Sequence, residues 1–160
     1  MKLSPLQLSF YQVMELSVAY RSEHDPDKPE PDTICHGMET YLHMDRDQSH
    51  ESEKNSCWHV ALRLSFQPRD EDNSRYSFVA GLLGVFFCAN ETPTGLDAET
   101  LVGVNGTSIL YGIARDLILT ISEKGPWGAL TLPTMSFTDF RTMLENEDHS
   151  EPPPELTSDP

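Results

Sequence analysis

Along the first half of the chain, apolar residues recur at every second position. In WHVALRLSF, Trp58, Val60, Leu62, Leu64 and Phe66 fall on one side of an extended chain, and His59, Ala61, Arg63 and Ser65 on the other. This spacing predicts an antiparallel strand with one face on a core. In LQLSFYQVMELSVAYR the even positions Leu6, Leu8, Phe10, Met14, Leu16, Val18 and Tyr20 are apolar and Gln12 interrupts them, the pattern of a long strand that bends or carries a bulge. CHGMETYLHMD alternates more weakly, with Met38, Leu42 and Met44 set against Glu39, Tyr41 and His43, and reads as an edge strand. YSFVAGLLGVFFCAN is apolar at both parities, so both of its faces are expected to be covered by protein. Charged, turn-rich stretches over 22–32, 45–56 and 67–75 separate the four strands.

The second half changes period. From Thr107, read as an N-cap, Ile109, Ile113, Leu117 and Ile121 recur every fourth residue, with Leu110, Ala114 and Ile118 on an adjoining row. This predicts a helix of about four turns that stops at Gly125-Pro126, with Arg115, Asp116, Ser122 and Glu123 outward. The Ile109 row is assigned to sheet packing and subunit assembly. WGALTLPTMSF follows as an extended apolar stretch, and TDFRTMLENED resumes a helical pattern through Phe137, Phe140, Met143 and Leu144. The acidic, proline-rich tail over 145–160 is expected to be disordered. The fold class is therefore α+β: a four-stranded antiparallel sheet backed by one long and one short helix, in a domain spanning 1–144. One long helix covers only part of one sheet face, so the remaining apolar surface is expected to serve a homo-oligomer or a bound partner.

Charge and composition narrow the function. With 160 residues the chain fits one domain, and a net charge of −15 argues against nucleic acid and favours positively charged partners. The N-terminus lacks the apolar run and cleavage site of a signal peptide, and the longest apolar run, 79–89, is short of the roughly 20 residues that span a bilayer, so a cytoplasmic protein is expected. Cys35, Cys57 and Cys88 are too widely spaced for a disulfide framework or a zinc motif and are expected to be free thiols. In Cys57-Trp58-His59, neighbouring residues point to opposite sheet faces, so a thiol–imidazole pair is not expected; histidine spacing likewise offers no metal site. His43 and Asp45 share a strand face, but no nucleophile is placed to join them. No phosphate-binding or dinucleotide motif occurs, so neither enzyme activity nor a cofactor is expected. Met38, Met44, Met135 and Met143 instead suggest an adaptable apolar surface.

The segment NGTSILYGIARDLILTISEKGPWGALTLPTMSFTDF resembles the second half of the SecB family of export chaperones. In that family a helix opening NILFPYAR-E is followed by a G-x-F-P-x-L-x-L loop, an APVNF turn and a second helix. Ile109-Leu110-Tyr111, Ala114-Arg115-Asp116, Gly125, Trp127, Leu130, Leu132 and Phe137 fill the corresponding places, and the four strands occur in the family's order. The resemblance implies a homotetramer, built as a dimer of dimers, that binds non-native or disordered polypeptides in apolar grooves without ATP. It implies a client groove of Met38, Leu42, Met44, Trp127, Leu130, Leu132, Met135, Phe137, Phe140 and Met143. On that reading, Trp127→Ala with Leu132→Ala would weaken client capture and spare the oligomer. Family members that serve secretion dock the ATPase SecA through acids on strands one and four. Here Glu15 matches the first acid, Ala19 replaces the next, and the strand-four segment FVAGL has none. This tips the expected role from general protein export toward protecting one dedicated client, such as the antitoxin of a toxin-antitoxin system.

Overall fold

The computed structural model describes residues 3–30, 34–91 and 96–141, apart from the side chains of residues 35 and 36. Four strands, β1 (Leu6–Tyr20), β2 (Met38–Arg46), β3 (Asn55–Phe66) and β4 (Tyr76–Ala89), form one antiparallel sheet in the order β1-β4-β3-β2. The two strands with the strongest apolar content, β3 and β4, lie inside, and β2 lies at an edge as its weaker alternation predicts. A short helix α1 (Ile34–Gly37) precedes β2, and a 3-10 turn at Gln48–His50 leads out of it.

Register fixes the two faces. On β4, Tyr76, Phe78, Ala80, Leu82, Gly84, Phe86 and Cys88 are buried toward the helix, paired across with the even residues of β3. The bulge expected in β1 is present twice, between Leu8 and Phe10 and between Val13 and Glu15. Leu6 and Leu8 face the core opposite Cys88 and Phe86. The first shift turns Phe10 outward and Tyr11 and Val13 inward, and the second returns Leu16 and Val18 to the core side. Gln12 stands opposite Leu83 on the outer face, which explains its place in an otherwise apolar strand.

The helical part begins earlier than its sequence pattern indicates. It starts at α2 (Ala98–Leu101), capped by Asp97, whose carboxylate accepts the Thr100 amide at 2.7 Å and its hydroxyl at 2.9 Å. A π turn over Val102–Gly106 then joins α3 (Thr107–Ser122). Thr107 is thus a fully buried helical residue and not a cap. The extra residue of the π turn shifts the apolar phase, which hid the first two turns from a 3.6-residue period.

The face of α3 also differs from expectation. Leu110, Tyr111, Ala114, Ile118 and Ser122 are buried against the sheet, while Ile109 and Ile121 are exposed and Ile113 and Leu117 are half-buried. Two adjacent apolar rows are equivalent by periodicity. The row with the small and hydroxyl-bearing side chains is the one that fits close to the sheet and bonds the following segment. At Gly84 a Cβ would come within 2.9 Å of the Leu110 side chain and 2.7 Å of the Phe86 ring, so this glycine lets α3 settle on β4.

After α3 the chain turns at Gly128 (φ 75°), runs without regular secondary structure to Phe137, and re-enters a helical turn at Phe140 and Arg141. Met143, Leu144 and the 145–160 tail lie outside the described residues.

Candidate client-binding surface

The segment 127–140 is strapped across the core by hydrogen bonds with β4, with α3 and with Arg21 and Arg75, which flank β1 and β4. From β4, the Tyr76 hydroxyl accepts the Trp127 amide at 3.2 Å and lies 2.8 Å from the Gly128 carbonyl and 3.1 Å from that of Ser122. Arg75 donates to the Trp127 carbonyl at 3.1 Å and is held by Glu30 at 2.8 Å. The Trp127 indole N–H donates to the Arg21 carbonyl at 2.9 Å, and His24 meets its ring edge-on at 5.0 Å. From α3, the Ser122 hydroxyl accepts the Leu130 amide at 2.8 Å, and the Tyr111 hydroxyl donates to the Pro133 carbonyl at 2.5 Å. Ser122, read from sequence as outward, is 1% exposed and serves this strap. At the far end the Phe140 ring lies on Gly103, where a Cβ would come within 2.3 Å of it.

This arrangement divides the ten residues of the expected groove. Leu42, Leu130, Leu132, Phe137 and Phe140 are each 2% exposed or less and belong to the main core cluster, so in the single chain they form a closed floor. Met38, Met44, Trp127 and Met135 are half-buried and pack on that cluster from outside. Met38 stands opposite Phe66 at one end of β2 and Met44 opposite Val60 toward the other, while Trp127 and Met135 lie on the strap; by exposure, the four half-buried residues are the rim of the expected groove and the five buried ones its floor. Met143 lies outside the described residues. A shallow depression of about 280 Å³ opens beside the strap, between Gly112, Arg115, Asp116 and Leu119 of α3 and Thr131.

Apolar surface left open lies elsewhere. Phe10, Tyr11, Val13, Met14 and Tyr20 of β1 are exposed, on a 15-residue edge strand, together with Ile109 and Ile121 of α3. A long apolar edge of this kind is a template for pairing with another chain. Glu15 points to the outer face of the sheet, where its carboxylate accepts from the Arg63 guanidinium at 3.1 Å. Its neighbours across β4 on that face are Val79 and Gly81, which supply no acid.

On the outer face near the β2–β3 turn, Asp47, Cys57 and His59 converge, with one ligand atom of each lying within 4.8 Å of the others. The expectation that Cys57 and His59 face apart is corrected here: they are two residues apart, so the strand pleat puts both on one face. The Asp47 carboxyl is pulled down to about 2, first by the Ser49 hydroxyl and then by His50, while burial chiefly, and then the Asp47 charge, pushes the Cys57 thiol up. Cys57 and Cys88 are buried free thiols, and burial raises the Cys88 thiol as well. His43 and Asp45 share the outer face of β2, opposite Ala61 and His59.

No family model and no curated protein sequence matches the chain. Among solved structures it is similar to a protein of unknown function from Streptococcus agalactiae, at a TM-score of 0.54 and 12% identity, over 81% of this chain and 97% of that one. That likeness shows a shared fold. The chain is also similar to Mycobacterium tuberculosis Rv1957, a SecB-like chaperone solved in complex with a ChAD peptide from the Rv1956 HigA1 antitoxin. That match has a TM-score of 0.47 and 14% identity, over 82% of this chain and 91% of that one. Among the described residues, no helix is long and apolar enough to cross a membrane.

Proposed function

We propose that this chain is a SecB-like, ATP-independent holdase that shields a non-native or disordered polypeptide on apolar surface. The observation that supports this reading is that Met38, Met44, Met135 and Trp127 are half-buried against a core cluster that includes Leu42, Leu130, Leu132, Phe137 and Phe140, because flexible thioethers accept varied side chains at little entropic cost. Leu130, Leu132, Phe137 and Phe140 belong to the strap, so they and the core beneath them, Leu42 included, become available to a client when the strap leaves the core. Copies of the chain assemble through the exposed edge of β1 and the Ile109–Ile121 row of α3, as a dimer of dimers. The charge of −15 keeps the assembly soluble and draws in basic client segments.

A dedicated client, such as an antitoxin, fits better than general export. The one carboxylate at a family docking position, Glu15, is engaged by Arg63, and Ala19 and the Val79–Gly81 stretch add none. Purification from the native host tests this: one dominant basic client supports the dedicated role. A mixture of preproteins, together with SecA binding that Glu15→Ala abolishes, would establish export instead.

A further inference from the structure

We propose that Asp47, Cys57 and His59 form a zinc site that pins the exit of β2 to β3. The ladder places them. Asp45 pairs with His59 and Arg46 with Trp58, and the Asp47 amide then donates to the Cys57 carbonyl at 3.0 Å, which carries the register one residue further. Asp47 is therefore the cross-strand neighbour of Cys57, diagonal to His59, and all three side chains leave the same face.

The spacing suits a small tetrahedral cation. With bonds of about 2.0–2.3 Å, tetrahedral zinc sets its donors roughly 3.3–3.6 Å apart. The His59 Nε2 lies 3.6 Å from Asp47 Oδ2, and the three donors lie within 4.8 Å of one another, so binding draws the set together by about an ångström. One sulfur, one imidazole nitrogen and one carboxylate oxygen make a borderline-soft set that favours zinc over magnesium or calcium. Asp47 is already oriented, since its Oδ1 accepts from the Ser49 amide at 2.9 Å and hydroxyl at 2.5 Å; its Oδ2, the oxygen that faces His59, also lies 2.7 Å from His50 Nδ1, so a metal there displaces His50 or takes it as a further ligand. Such outer contacts fix a carboxylate ligand in place. The nearby cation, Arg46, is drawn off by its ion pair with Glu51 and does not oppose a metal. His59 is partly exposed, which leaves a path from solvent and a fourth position for water.

The test uses the full-length chain after treatment with chelator and reductant, titrated with cobalt(II) and then with zinc(II). One equivalent of cobalt is expected to give a thiolate-to-metal charge-transfer band that zinc abolishes and excess magnesium leaves untouched. Cys57→Ser should remove the band, and Asp47→Asn and His59→Gln should each weaken binding tenfold or more. The double variant Cys35→Ser with Cys88→Ser should retain it. Because His59 is half-exposed, its glutamine variant keeps the fold, and circular dichroism confirms that any loss is local. No band in the wild-type chain, or one that survives Cys57→Ser, would overturn the proposal.

Discussion

The Tyr111 hydroxyl on α3 donates to the Pro133 carbonyl oxygen, latching the middle of the 127–140 strap to the helix. Tyr111→Phe keeps the ring and its contact with Phe137, at 5.5 Å between centroids, and deletes the latch. The expected cost is about 1 kcal/mol of stability. Amide hydrogen exchange should quicken over 130–137 and stay unchanged in β3 and β4; unchanged protection across the strap would show that the latch does not hold it.

Leu132 and Met135 are three residues apart on the strap, but they answer different questions. Leu132 is fully buried, so Leu132→Ala is expected to destabilise by about 2–5 kcal/mol, and the pairing of Trp127→Ala with Leu132→Ala reports on the core before it reports on client capture. Met135 is half-buried at the rim, and Met135→Ala should cost about 1 kcal/mol or less. Chemical denaturation of the two single variants checks the ordering.

The edge of β1 carries a prediction about assembly. Phe10 and Met14 are 55% and 54% exposed and do not belong to the core, so Phe10→Lys with Met14→Lys should leave the monomer fold intact. Charge on an edge strand opposes strand-to-strand pairing. Sedimentation is expected to show a shift from the tetramer to the dimer that the Ile109–Ile121 row of α3 still holds. An unchanged sedimentation profile would place assembly elsewhere.

Asp97 links the helix start to pH. Hydrogen bonds from the Thr100 amide and hydroxyl lower its carboxyl below the usual range of about 4. A depressed folded-state value means that the stabilisation is fully present above the unfolded-state value and is lost as pH falls through the lower folded one. Asp97→Asn should therefore flatten part of the stability loss on the acid side of about pH 4 and change little of the pH dependence near neutrality. Thermal melts of both chains from pH 2.5 to 7 measure this.

The strand pattern was legible from alternation, because the inner strands β3 and β4 bury one face and the pleat has period two. β4, apolar at both parities, is expected to be covered on both faces; in the single chain its even residues are buried while Leu83, Val85 and Phe87 on the outer face are half-buried, and Gln12 marked the bulged register of β1. The helical half was less legible. The π turn over Val102–Gly106 broke the phase and hid the start at Asp97. The choice between the Ile109 and Leu110 rows depended on hydrogen bonds from Tyr111 and Ser122 to a segment distant in sequence. At the expected groove, hydrophobicity located the right segment but did not separate rim from floor, since Leu132 and Met135 look alike until the strap is placed. The Asp47, Cys57 and His59 cluster was available from pleat parity, which puts residues 57 and 59 on one face; only the β2–β3 register adds Asp47 to them.

The central claim is that the methionine rim captures unfolded chain. The measurement is fluorescence anisotropy of a labelled, permanently unfolded polypeptide titrated with the wild-type protein and with a variant carrying Met38→Gln, Met44→Gln and Met135→Gln, without ATP. Losing even about 1.4 kcal/mol of apolar contact is a factor of ten, so the variant should bind at least roughly tenfold more weakly while keeping its oligomeric state and circular dichroism. Equal affinity in the two proteins, or no binding by the wild type, would contradict the account.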